Sequence, residues 1–291
     1  MTGSAEMPYA FRPVGISDPD LHRLADFLAG VFDRKDLYVP RYLRWLYREN
    51  PAGPVIGVNA WDGEELAGHY AVIPICAESG EGRYRAALSL NTATHPAHQG
   101  RGLFTRLAEE TYALASDAGV REIVGIANAN SAPGFVRRLG FQDCGPLEAR
   151  LLWRPPQLAD GERAVSWRRV WDAESLRWRA RNPQARYALE ARGGIRAILG
   201  STGWPGIHAV LRMEPTAGAV ELPDLELAQR APLRLWLGRS ARVTQPWAGG
   251  VSIPMRMRPS PLQVIHRSLI GRGPIREPER MHVEAFDFDA Y

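Results

Sequence analysis

Apolar residues along this chain change period several times, and each change marks an element. Val55 to Trp61 and Leu66 to Ile75 are apolar runs of strand length joined through Asp62-Gly63, a dipeptide suited to the positive φ of a tight hairpin. Ala86 to Leu90 reads as another strand. From Phe104 to Ala118 the positions Phe104, Leu107, Ala108, Thr111, Tyr112, Leu114 and Ala115 recur at helical spacing, which predicts an amphipathic helix. Val120 to Ala127 is a further buried-looking strand. It is followed by Asn128-Ala129-Asn130-Ser131, a short segment from Ala132 to Leu139, and Gly140-Phe141.

The junction between the Ala86–Leu90 strand and the long helix is the most informative stretch. It reads Thr92-Ala93-Thr94-His95-Pro96-Ala97-His98-Gln99-Gly100-Arg101-Gly102-Leu103-Phe104. The first amides of a helix lack carbonyl partners and carry the positive end of its dipole, so they can hold phosphate oxygens. Glycine lets such a ligand come close to the backbone. Arg101 and Arg106 add charge. A Gly-x-Gly turn also has a purely conformational use at strand-to-helix junctions, so its context decides between the two.

That context is a specific order: strand, Gln99-Gly100-Arg101-Gly102, helix, strand, Asn128, and Leu139-Gly140-Phe141. Over residues 10–150 it resembles the central half of a GNAT-superfamily N-acetyltransferase. The resemblance implies binding of acetyl-CoA, or another acyl-CoA, as cosubstrate. The family pattern Gln/Arg-x-x-Gly-x-Gly/Ala falls on Gln99, Gly102 and Phe104, so Gln99, Gly100, Arg101, Gly102, Leu103 and Phe104 are expected to cradle the pyrophosphate. The same carry-over gives the carbonyl-polarising amide to Ala93 or Thr94, and the pantetheine arm or an ordered water to Asn128. Two positions depart from the pattern. Phe104 replaces a small residue, so its side chain must turn away from the ligand. Val136 stands where members often carry a tyrosine that protonates the leaving thiolate, leaving solvent, Ser131 or Tyr112 as substitutes, or a fold without chemistry.

The second half echoes the first. Leu43-Arg44-Trp45 followed by Asn50-Pro51 is matched by Leu176-Arg177-Trp178 followed by Asn182-Pro183, and in both places a helix-like segment precedes apolar strands. The second set is Tyr187–Arg192, Ile195–Gly200 and Ile207–Met213, with Gly193-Gly194 as a turn. Further strands are expected at Ala219–Leu222, Leu233–Gly238 and Val251–Met257, but no glycine turn opens a long helix there. With the Pro-rich segment from Arg154 to Glu162 as linker, this predicts an acyl-CoA-binding domain over 1–154 and a degenerate copy over 155–291. The expected fold class is α+β, two GNAT-like domains, each a mixed, mostly antiparallel sheet flanked by helices. In tandem members the degenerate copy shapes the acceptor pocket or lies beneath the active one.

Composition narrows the picture further. The 291 residues suit two domains, and 45% hydrophobic with 23% charged residues is ordinary for a soluble protein with proper cores. No apolar stretch approaches the roughly 20 residues that span a bilayer. The N-terminus lacks a secretory pattern, and two cysteines are too few for a disulfide framework, so a cytoplasmic location is expected. The net charge of +4 is spread over scattered arginines, Lys35 being the lone lysine, which suits phosphorylated ligands without demanding nucleic acid.

Candidates for acid–base chemistry are few. Glu109 and Glu110 fit the solvated face of the helix. His95 and His98 flank the glycine turn and His69 lies on an earlier strand; His95 ranks first by position. The histidines lack further ligands at metal spacing, so no metal is expected. The tail Glu284-Ala285-Phe286-Asp287-Phe288-Asp289-Ala290-Tyr291 alternates like an edge strand and reads first as a solvated tail. In the related enhanced-intracellular-survival acetyltransferases the chain-terminal carboxylate is the base, which adds Tyr291, Asp287 and Asp289. The function expected is acyl transfer from acyl-CoA to a primary amine of a small molecule, an amino sugar being one option, with the homodimer an open question. The rival is a non-catalytic acyl-CoA sensor or partner protein.

Overall fold

The hairpin at Asp62-Gly63 begins a sheet to which almost every other element attaches. The computed structural model describes residues 9–154, 165–222, 224–228, 232–240, 249–271, 273, 277 and 280–288. In chain order the first half supplies β1 (Ala10–Pro13), α1 (Asp18–Phe32), α2 (Pro40–Leu43) running into a π-turn over Arg44–Arg48, β2 (Ile56–Asp62), β3 (Glu65–Ser79), β4 (Gly82–Thr94), α3 (Leu103–Asp117), β5 (Glu122–Ala127), α4 (Ala132–Leu139), β6 (Gln142–Pro146) and β7 (Glu148–Leu152). The second half supplies β8 (Trp167–Arg169), α5 (Ala173–Ala180), β9 (Tyr187–Arg192), β10 (Ile195–Ser201), β11 (Ile207–Pro215), β12 (Glu226–Leu227), β13 (Leu233–Arg239), β14 (Gly250–Ser252), β15 (Gln263–Ser268) and β16 (Met281–Glu284). The class is α+β, with mixed, mostly antiparallel sheets flanked by few helices. No helix among the described residues is long and apolar enough to cross a membrane.

Strand order repeats. The first sheet runs β1-β2-β3-β4-β5-β15-β6, antiparallel except for the parallel pair β4/β5. The second runs β12-β9-β10-β11-β13-β7-β14, with β11/β13 parallel in the corresponding place. In each sheet the strand after the parallel pair comes from the other half of the chain: β15 enters the first sheet and β7 the second. A cut between residues 154 and 155 therefore separates β15 from the sheet it completes. β8 and β16 join the two, pairing with β3 and β13 respectively and with each other.

Buried polar groups key the exchanged strand in place. Glu122 on β5 accepts from His266 Nε2 on β15 at 2.9 Å, from Trp167 Nε1 at 2.6 Å and from the Tyr84 hydroxyl at 2.9 Å. Burial without such donors would cost several kcal/mol, so the His266 bond fixes β15 in register, while Trp167 of β8 and Tyr84 of β4 satisfy the rest of the carboxylate.

The two halves also meet through their matched tryptophans. Trp45 Nε1 donates to the Trp178 carbonyl at 2.9 Å and Trp178 Nε1 to the Trp45 carbonyl at 3.0 Å, while the rings stack with centroids 4.7 Å apart. Residue i touching j while j touches i is the signature of two-fold pairing. The asparagines that follow behave alike as well: Asn50 Oδ1 accepts from Ala52 N at 3.2 Å, and Asn182 Oδ1 from Gln184 N at 2.9 Å.

Several expectations from the sequence need correction. Ala219–Leu222 forms no strand, although Leu222 is buried in the core. The strand expected over Val251–Met257 shrinks to β14, because Pro254 cannot supply a ladder donor and a 3₁₀ turn over Met255–Met257 follows. The tail is not a solvated edge strand. Its strand is β16, a 3₁₀ turn covers Ala285–Asp287, and residues 281–288 are buried. Asp289 and Tyr291 lie outside the described residues.

One buried group ties stability to pH. His69 on β3 is fully enclosed, its Nδ1 bonded to Asn59 Oδ1 at 2.7 Å and its Nε2 to the Tyr47 hydroxyl at 2.9 Å. Burial disfavours the imidazolium and lowers the pKa from 6.5 to about 3. The unfolded chain then binds more protons across that window, so stability is full above pH 6.5 and falls by about 1.4 kcal/mol per unit on acidification toward 3. Urea midpoints between pH 6.5 and 4 are expected to show this slope in the parent and a flatter one in His69→Gln; equal slopes would exclude a neutral buried His69. Trp178→Ala removes a stacked, buried indole and is expected to cost about 3–5 kcal/mol in denaturant unfolding. A loss below about 1 kcal/mol would mean that the tryptophan pair does not hold the halves together.

Candidate active site at the parting of β4 and β5

Parallel pairing between β4 and β5 runs through Ala87↔Ile123, Leu88↔Val124 and Ser89↔Gly125, and there it stops. Beyond Ser89 the two strands diverge, leaving β4 backbone exposed on the β5 side. A bulge adds to the divergence: Ala71 pairs with Leu90 and His69 with Ala93, so Asn91 and Thr92 both stand opposite Tyr70. Asn91 takes a left-handed conformation with φ of 53°.

Two cavities flank this gap. The outer one, about 720 Å³, is lined by Thr92, Ala93 and Thr94 of β4, by Gln99, Gly100, Gly102, Leu103 and Phe104, and by Asn128, Ser131 and Arg138. The inner one, about 400 Å³, is lined by Tyr38, Tyr42, Leu88, Asn91 and Thr92 from the first half, and by Trp178, Arg179, Ile265, Asp287 and Phe288 from the second. Thr92, Asn128, Ser131 and Phe135 border both.

The glycine turn forms one end of the outer cavity. Gly100 and Gly102 have φ of 75° and 77°, values that L side chains avoid, and a Cβ built on either would meet no atom within 4 Å. Gly102 caps α3 without a side-chain bond, and the Arg106 amide returns to the Gly102 carbonyl at 3.2 Å. The N–H groups of Leu103, Phe104 and Thr105 therefore precede the first helical bond and point out of the helix end into open space, as a diphosphate requires. Arg101 lies beside this end, donating to the Tyr9 hydroxyl at 3.0 Å, and Tyr9 is bonded to His98 Nδ1 at 2.9 Å. The Phe104 ring packs edge-on against Phe135 with centroids 5.4 Å apart, at the border of the cavity and off the turn.

Of the two amides assigned to the carbonyl, strand alternation separates the pair. His95 N bonds to the Ala67 carbonyl of β3 at 2.9 Å, so the Ala93 amide, two residues earlier, also faces β3, and the Thr94 amide faces the gap. Asn128 is held by its own turn: its Oδ1 accepts from the amides of Asn130 and Ser131, each at 3.0 Å, and from the Ser131 hydroxyl at 3.1 Å. Ser131 thus sits where the cavities meet, with its hydroxyl committed to Asn128.

Other candidates lie elsewhere. His95 is exposed, lines neither cavity, and accepts from the Ala97 amide at 3.3 Å. The Tyr112 hydroxyl is bonded to that of Tyr70 at 3.0 Å in the core between α3 and β3. Val136 packs into the same core, and the ring that α4 itself places on the cavity wall is Phe135, which has no proton to give. Arg106 pairs with Glu110 on the outer face of α3.

Asp287 is the carboxyl that sequence periodicity undervalued. It is buried on the inner cavity, accepting from Trp171 Nε1 and from the Glu284 amide, both at 2.8 Å. Burial pushes its pKa up, against the neighbouring Arg169 guanidinium, which pulls it down. The alternation of Phe286, Asp287 and Phe288 signals a half-buried strand, but which face is covered depends on the second half folding over it.

No curated protein sequence matches this chain. Solved structures do match in fold. A probable N-acyltransferase from Enterococcus faecalis is 10% identical with a TM-score of 0.61, over 90% of this chain and 73% of that one. Eis1 from Mycobacterium abscessus is 11% identical with a TM-score of 0.57, over 90% and 73%. A putative acetyltransferase from Pyrococcus horikoshii is 11% identical with a TM-score of 0.52, over 98% of both chains. At sequence level, residues 13–144 match the family described as acetyltransferase (GNAT) domain. This span contains the hairpin, the gap between β4 and β5 and the glycine turn, and it ends inside β6. Over residues 13–144 this chain is thus similar to a GNAT acetyltransferase domain.

Proposed function

We propose that the chain is an acyl-CoA-dependent N-acyltransferase, with acetyl-CoA the default donor and a primary amine of a small molecule as acceptor. The supporting observation is the meeting of the two cavities at the gap in the sheet. One ends in the open amides of Leu103 to Thr105, and the other is walled by aromatic rings and a buried carboxyl. The pyrophosphate belongs on the glycine turn with Arg101 beside it. The pantetheine arm runs along β4 past Asn128, which brings the thioester to the bulge. An acceptor amine reaches it from the inner cavity, between Tyr38 and Trp178, whose faces suit the ring of an amino sugar.

In this reading the amine nitrogen attacks the thioester carbonyl, a C–N bond forms, and the C–S bond breaks. The Thr94 amide and the bulge stabilise the charge that builds on the carbonyl oxygen. The Asp287 carboxylate takes the proton leaving the nitrogen, and the thiolate is protonated from solvent, because Phe135 and Val136 offer no hydroxyl. His95 is then a surface residue and Ser131 a support for Asn128. Residues 155–291 act as a degenerate second copy, in whose described residues no glycine turn opens a long helix, and close the acceptor cavity, in the cytoplasm and without nucleic acid as partner. β15 belongs functionally with the first copy. The second reading, a non-catalytic acyl-CoA sensor, draws on the missing hydroxyl at Phe135–Val136.

Two variants test the proposal. Gly102→Trp forces a side chain onto a left-handed residue in the cradle and is expected to abolish thermal stabilisation by acetyl-CoA; retained stabilisation would exclude the pyrophosphate assignment. Asp287→Asn is expected to leave coenzyme affinity unchanged and to lower amine-dependent release of free thiol about 100-fold or more. If the parent binds acetyl-CoA but no amine in a broad panel stimulates thiol release, the sensor reading stands instead.

A further inference from the structure

Trp45 and Asn50 are separated by one residue more than Trp178 and Asn182, their counterparts in the second half. The extra residue is taken up by the π-turn over Arg44–Arg48, whereas α5 has no such turn. Single π-turns inside helices are frequent at functional sites. Here the side chain is Tyr47, fully buried and stacked on His69 with ring centroids 5.9 Å apart.

From Tyr47 a chain of hydrogen bonds runs in both directions, and its polarity is fixed by chemistry. The Asn59 carbonyl oxygen can only accept, so the His69 proton is on Nδ1, and its Nε2 takes the Tyr47 O–H. The Tyr47 oxygen then accepts from Asn91 Nδ2 at 2.9 Å, and Asn91 Oδ1 accepts from the Tyr38 hydroxyl at 3.1 Å. Both polar ends of the Asn91 side chain are thus held. Asn91 is the bulge residue in the left-handed region, a conformation that costs an asparagine least among residues with a Cβ but that still needs support. Asn91 and Thr92 both line the inner cavity where β4 has left β5.

We infer that Tyr47, His69 and Asn91 are positioning residues for polarisation of the thioester carbonyl: their side-chain bonds lock the β4 bulge, and with it the direction of the amides that face the gap. The assignment rests on the acyl-transfer reading above. It gives His69 a holding role in place of proton transfer, and it explains why the first copy alone carries the π-turn.

Isotope-edited infrared spectroscopy of the full chain with acetyl-CoA labelled with ¹³C at the carbonyl tests this without a known acceptor. Binding to the parent, followed by calorimetry, is expected to move the carbonyl band to lower wavenumber than in free coenzyme. Tyr47→Phe is expected to bind acetyl-CoA as the parent does and to lose most of that shift. His69→Gln, which can still accept from Tyr47 and donate to Asn59, is expected to retain it. Should Tyr47→Phe fail to fold, Asn91→Gly carries the same expectation of loss, since it permits the backbone conformation but removes both bonds that hold it. A full shift in the folded variant, or no shift in a parent that binds coenzyme, overturns the positioning role while leaving coenzyme binding intact. Failure of the parent to bind acetyl-CoA in the calorimeter is a different result and overturns the acyl-CoA reading itself.

Discussion

Ladder bonds between β4 and β5 end at Ser89 and Gly125, and the rest of the site is arranged around that ending. A sheet that stays paired offers neither backbone donors nor space. One that opens must satisfy its freed groups by other means or leave them to a ligand. Here the bulge at Asn91 and Thr92 widens the opening, α3 begins with unbonded amides on one side of it, and the second half walls it on the other. The same parting brings the cavity at the glycine turn and an aromatic cavity into contact, with Thr92, Asn128, Ser131 and Phe135 bordering both.

The exchange of β7 and β15 makes that opening stable. The far edge of β5 is covered by β15, with antiparallel pairing from Gln263 to Ser268 that holds β5 where β4 leaves it. Glu122 converts this pairing into a register lock through His266. Because β7 completes the second sheet in the same manner, neither half has a full sheet alone, and the Trp45–Trp178 pair adds a reciprocal contact between them. The gap is held open by structure that comes from both ends of the chain. The walls of the inner cavity, with Trp178, Arg179, Asp287 and Phe288 opposite Tyr38 and Asn91, are a direct product of that exchange.

Charge is handled by confinement in this fold. His69 stays neutral because it is enclosed and both ring nitrogens are bonded, whereas Asp287 faces competing influences of burial and a nearby guanidinium. The first is committed to holding the strand; the second is on the cavity.

Local periodicity and turn chemistry determined much of this on their own: the hairpin at Asp62-Gly63, the Gly193-Gly194 turn, the long helix read from Phe104, the glycine turn before it, and the paired Trp and Asn-Pro segments. Each depends on neighbours a few residues away, and propensity reports such neighbours faithfully. Family resemblance raised Asp287 as one alternative and the region of Ala93 and Thr94, but it could not tell which amide faced the gap, because that depends on the register with β3. Tertiary structure decided the rest: the crossing of β7 and β15, the burial of the tail, the π-turn that places Tyr47, and the removal of His95 from the cavities. All four follow from contacts between residues far apart in the chain, where one strand's partner sets which of its faces is covered. The alternating pattern of a strand says that one face is buried, and only the partner that arrives says by what.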